Sequence, residues 1–190
     1  MAEGSPNRRS VNYDIYQVVK SYFKLSSKKE IRHDLLVPFV ISVILVSVLL
    51  LAKLDLLKIL VDLNDVIITV MSILAGFNTA SIAIISSSNT VGFLQRLEQD
   101  GRQEGDQLLK SLTSYFSFAI ILQLFILIIS IIASVILKLV KYEYIVANIY
   151  NLTIFSILFI LWFAIVLNSL LITLRNASIL HNFILFLARR

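Results

Sequence analysis

Asp55, Lys58, Asp62, Asp65, Thr69, Ser72, Gly76, Thr79, Ala83 and Ser86 follow one another at alternating steps of three and four. An α-helix turns once every 3.6 residues, so this spacing predicts one stripe along one helix, charged at its start and small or hydroxylated beyond. Such a row supports two kinds of chemistry. Carboxylate and hydroxyl oxygens line a path for water and cations when several copies surround an axis, with Asp55, Asp62 and Asp65 forming acidic rings at its mouth. Alternatively, Gly76, Ala83 and the hydroxyl residues let another helix approach closely and hydrogen-bond across the contact. Leu56, Leu63, Val70, Phe77 and Ile84 are expected on the opposite side.

A second group of charged residues, Arg96, Glu98, Asp100, Arg102, Glu104 and Asp106, falls in a stretch punctuated by Gly101 and Gly105. The mixed signs predict a helical hairpin tip that is either solvated or a docking knob for a cytoplasmic protein partner, with Asp106 as the N-cap of the next helix. Enzyme and metal chemistry find no support. The chain has no cysteine, two histidines, and no phosphate-binding glycine loop, HExxH or GxSxG spacing. His33 and His181, even beside Asp34, read as polar anchors rather than metal ligands, and no cofactor is expected.

The elements that hold these residues are dictated by composition. The chain is 58% hydrophobic with 5 Gly and 2 Pro, against about 45–50% apolar in a soluble domain. Its apolar residues gather into Leu35–Ala52, Val66–Ile85, Leu112–Leu137 and Ile149–Leu174. Each is close to the roughly 20 residues that cross about 30 Å of hydrocarbon as helix. Four transmembrane helices in an all-α fold are predicted. The span interiors carry no charge, which leaves no proton relay or voltage sensor. They do carry Asn78, Ser81, Gln123, Ser130, Asn151, Ser156 and Asn168. Ala119, Gln123, Ile126, Ser130 and Ala133 form a second seam, suited to helix packing.

Only Lys53, Lys58, Lys138 and Lys141 of the 17 basic residues fall on the side opposite the termini and the middle loop. The positive-inside rule therefore predicts cytoplasmic termini and a cytoplasmic hairpin. The net charge of +5 is membrane-surface chemistry. Lys28, Lys29 and Arg32 stand just before the first span, where anionic lipid favours each by about 1 kcal/mol. Direct nucleic-acid binding is not expected.

Residues 1–10 read as a disordered N-terminus and 11–36 as cytoplasmic amphipathic or interfacial helices. Val11, Ile15, Val18, Val19, Tyr22 and Phe23 recur at helical spacing, placing a helix either on the membrane surface or under the bundle. Ser27 and Glu30 form a capping box for a short helix to Leu36, and Pro38 then opens the first span. Residues 37–174 form the transmembrane domain, with the hairpin at 90–111, and Lys58 and Asp62 are spaced for an i,i+4 pair. A C-terminal amphipathic helix over 175–190 is expected either to bend along the interface or to run straight and pack on Val11–Leu25.

The segment Ser72-Ile-Leu-Ala-Gly-Phe-Asn-Thr-Ala-Ser-Ile-Ala-Ile-Ile-Ser-Ser-Ser-Asn89, on a small four-span chain with a charged hairpin, resembles the membrane subunits encoded in bacterial phage-defence loci, including the membrane component of Kiwa-type systems. That resemblance implies a homo-oligomer in the bacterial inner membrane, acting on a membrane event together with a cytoplasmic partner. The expected function is a pore-forming or membrane-perturbing module controlled through its cytoplasmic surfaces. A non-conducting scaffold that recruits a cytoplasmic partner is the alternative.

Overall fold

The computed structural model describes residues 11–87 and 104–188, with side chains over 13–87 and 111–185; among these residues every regular element is helical. In chain order they are α1 (Val11–Leu25), α2 (Lys28–Leu51), α3 (Leu56–Ile85), α4 (Glu104–Leu139), α5 (Tyr142–Val146) and α6 (Ile149–Ala188). Four of them, α2, α3, α4 and α6, are long and apolar enough to cross a membrane. Large apolar side chains such as Ile44, Val48, Ile128, Ile132 and Leu158 are exposed along these helices. That much outward hydrocarbon suits a bilayer rather than water.

Local chemistry sets the helix ends. The Ser27 hydroxyl accepts from the Glu30 amide at 3.2 Å while Glu30 accepts from the Ser27 amide at 2.8 Å, closing the capping box at the start of α2. The helix does not stop at Leu36 as expected. It runs through Pro38, which stands in its interior rather than at its entrance. Proline lacks the amide that would bond the carbonyl four residues back. That carbonyl belongs to Asp34, and the Asn168 side-chain amide donates to it at 2.6 Å, so the orphaned acceptor is satisfied by α6 and the helix continues.

The turn between α2 and α3 is a Schellman motif. Leu54 N–H donates to Leu49 C=O at 3.2 Å and Lys53 N–H to Leu50 C=O at 3.1 Å. The position after the cap must then be left-handed; it is Lys53, with φ 52°. Asp55 caps α3, its carboxylate accepting from the Lys58 amide at 3.0 Å. At the other side of the bundle α4 is already helical at Glu104, so Asp106 stands in its first turn instead of capping it.

The core lies between α3, α4 and α6, with α2 laid against α6. It is layered: Val46, Leu56, Leu60 and Phe159 at one end; Ile67, Met71, Ile126 and Val166 in the middle; Ile85, Leu112, Phe116, Leu180 and Phe183 at the other end. Of the two courses expected for the C-terminus, bent or straight, the straight one is found. Residues 175–188 do not form a separate element but continue α6, and Leu180 and Phe183 pack on the ends of α3 and α4. Helix α1 crosses the same end and docks on α4, where Tyr22 stacks on Phe118 with ring centroids 3.8 Å apart.

Candidate functional site

All ten residues of the predicted stripe, from Asp55 to Ser86, are exposed in the single chain. The face of α3 that enters the bundle is Leu60, Asn64, Ile67, Met71, Ala75, Asn78 and Ile85. It differs from the expected opposite side, on which Phe77 and Ile84 are in fact exposed. A strict seven-residue step drifts by about 20° per heptad around a straight helix. In addition, the amides of Asn64 and Asn78 reach partners on α4 from this face. Among the described residues nothing closely approaches Gly76: a Cβ added there would meet no atom within 4 Å.

The stripe's hydroxyls are turned inward on their own helix. Thr69 donates to the Asp65 carbonyl at 3.4 Å, Ser72 to Ile68 at 2.8 Å and Thr79 to Ala75 at 2.8 Å. With the proton committed to a carbonyl four residues back, what each oxygen can present outward is lone pairs. At the α2–α3 end, Asp55 is occupied as a cap, Asp65 accepts a long 3.4 Å hydrogen bond from Ser134, and Asp62 is exposed. Lys58 and Asp62 do not pair within 4 Å despite their spacing; both are exposed to solvent competition.

The second predicted seam is the inner face of α4: Ala119, Gln123, Ile126 and Ser130 are buried against α3. Amides and hydroxyls there form a directional ladder. Asn78 Nδ2 donates to Gln123 Oε1 at 3.0 Å, Gln123 Nε2 to Thr173 Oγ1 at 2.7 Å, and Thr173 Oγ1 to the Ser169 carbonyl at 2.9 Å. Asn64 Nδ2 donates to the Ser130 carbonyl at 2.9 Å. Three helices, each long and apolar enough to cross a membrane, are thereby fixed in register.

A cluster that the sequence did not reveal joins α1, α2 and α6. Arg175 donates from Nη1 to Asp34 Oδ2 and from Nη2 to the Tyr22 hydroxyl, both at 2.7 Å. Its guanidinium lies 5.4 Å from the ring centroids of Tyr22 and of Tyr115, within cation–π range. Asn176 Nδ2 donates to the Tyr115 carbonyl at 3.2 Å, bringing in α4. Burial raises the pKa of the Tyr22 hydroxyl, an effect partly offset by Arg175. The ring therefore stays neutral and able to accept the guanidinium. The sequence signal that points toward this cluster is Pro38, which frees a carbonyl at Asp34.

Among the described residues no group of three or more His, Asp or Glu side chains could hold a metal. His33 is an exposed side chain whose Nδ1 lies 3.6 Å from Asp34 Oδ1. Of the predicted docking knob, Arg96, Glu98, Asp100 and Arg102 lie outside the described residues, as do the side chains of Glu104 and Asp106. Compared with known proteins, the chain matches no family model, no curated protein and no solved structure.

Proposed function

We propose that this chain is a membrane-embedded module that assembles with copies of itself and forms a cation-permeable or membrane-perturbing path along α3, under control of its cytoplasmic surfaces. The observation that carries the reading is the outward position of the whole stripe. Within one copy the packing face of α3 is a different one, so Thr69, Ser72, Gly76 and Thr79 are left to meet other copies or water. Back-bonded hydroxyls offer lone pairs, and Asp62 and Asp65 add negative charge at one end. Both favour cations over anions. Inner-membrane location, cytoplasmic termini and a role in phage defence belong to this proposal through the charge asymmetry and the resemblance of the Ser72–Asn89 segment.

The test places single cysteines at Asp62, Thr69, Ser72, Thr79 and Ser86 in the reconstituted protein. Reaction of the whole series with small hydrophilic thiol reagents, together with an oligomer in solution and a lower cation-to-anion permeability ratio in Asp62→Asn/Asp65→Asn, is the expected result. A strictly monomeric protein, or labelling that ends at Asp65, would remove the path. The non-conducting scaffold draws on one observation of its own. Docked α1 keeps Ile15 and Tyr16 exposed, apolar side chains suited to a partner or to headgroups.

A further inference from the structure

A groove of about 490 Å³ opens sideways between α2, α4 and α6. Leu35, Phe39, Leu122, Phe125, Leu161 and Ile165 line it, all apolar. Asn168 stands at its end, but its amide is already committed to the Asp34 carbonyl. The groove lies entirely on candidate spanning helices, and from Asn168 to Leu161 it follows two turns of α6. A smaller cavity of about 40 Å³ shares Leu35 and Asn168 with it and is bounded by Tyr22, Phe23 and Phe118, so docked α1 forms the floor. The shape suits a flexible hydrocarbon chain entering from the bilayer and running parallel to the helices.

Charge says which lipid. Lys28, Arg32, Leu35 and Phe39 succeed one another at steps of four, three and four, so they share one face of α2. Leu35 and Phe39 are the groove wall, and Lys28 and Arg32, both exposed, continue that face beyond its end. Their near acid, Glu30, lies on the other flank and is held in the capping box. Asp34 is occupied by Arg175. We infer that the groove is a site for an anionic phospholipid, one acyl chain lying along Leu35, Phe39, Phe125 and Leu161 and the phosphate held by Lys28 and Arg32. The inference is independent of whether the α3 stripe conducts.

The chain has one tryptophan, Trp162, which makes the site addressable by fluorescence. In the full chain carrying Trp162→Phe and Phe125→Trp, reconstituted in vesicles of phosphatidylcholine and phosphatidylglycerol, the acyl chains of one lipid or the other are brominated and quenching of the groove indole is measured. Phosphatidylglycerol is expected to occupy the site with at least about fivefold preference, since each basic residue near the surface favours anionic lipid by about 1 kcal/mol. A reference indole replacing exposed Ile73, with no basic residue within ten positions of it, should show no preference. Lys28→Gln/Arg32→Gln should bring the ratio to about one, whereas the charge-preserving Lys28→Arg/Arg32→Lys should keep it. Equal quenching by both lipids at Phe125→Trp, or a preference that survives removal of both charges, would overturn the assignment.

Discussion

Asp34 serves two neighbours at once. Its carbonyl, released by Pro38, takes the Asn168 amide, and its carboxylate takes Arg175, which also holds Tyr22. An ion pair of this kind contributes little net stability over an apolar substitute, because removing both charges from water costs about what their attraction returns. Breaking it from one side is different. Arg175→Met leaves the buried Asp34 carboxylate uncompensated and should destabilise the fold by about 3–5 kcal/mol. Adding Asp34→Asn should restore a large part of that loss. Denaturant titration of the parent, both single variants and the double variant in detergent measures the coupling; strictly additive losses would show that Arg175 acts through packing alone.

The start of α2 and the existence of the four long helices were the readable part. Ser27 with Glu30 specified the start of α2 through local chemistry, and uncharged runs located all four long helices, because hydrocarbon tolerates no interruption of backbone hydrogen bonding. What could not be read were the facts that depend on a neighbour. That α2 passes through Pro38 depends on Asn168, 130 residues later, and the inner face of α3 depends on where Gln123 and Ser130 stand. The stripe itself was legible as a pattern, yet its direction relative to the core was not, since spacing fixes a face and not what the face meets. The Schellman turn offers a test at this scale. Lys53 holds a left-handed φ of 52°, a conformation that costs a residue with a Cβ about 1–2 kcal/mol. Lys53→Gly should therefore raise stability, by up to about 1 kcal/mol once glycine's greater freedom in the unfolded chain is counted. A higher Tm with unchanged helical content is the expected measurement, and a lower one would mean that the turn is held by the lysine side chain.

Over the whole molecule, the interior and the outward stripe divide the polar residues between them. Amides close the ladder inside, while small and hydroxylated residues of α3 face away from it. Gly76→Leu separates the two. Because Gly76 is exposed and a Cβ there meets no described atom within 4 Å, the single chain should fold at least as well, and leucine in place of glycine even favours the helix by about 1 kcal/mol. Contact between copies at that point should be lost. Light scattering of the purified variant should report a smaller assembly than the parent, at equal or higher thermal stability. A variant that keeps the parent assembly would move the contact between copies away from α3.

Helix α6 runs from Ile149 to Ala188 without a break, 40 residues long. At 1.5 Å per residue it is a rod of about 60 Å, roughly twice the hydrocarbon thickness. Tilting such a rod by about 10° around its midpoint moves each tip by about 5 Å in opposite directions. Thinning or stretching of the bilayer changes helix tilt. The tip that carries Leu180 and Phe183 is packed on the ends of α3 and α4, so any tilt of the rod is also a displacement of those two helix ends.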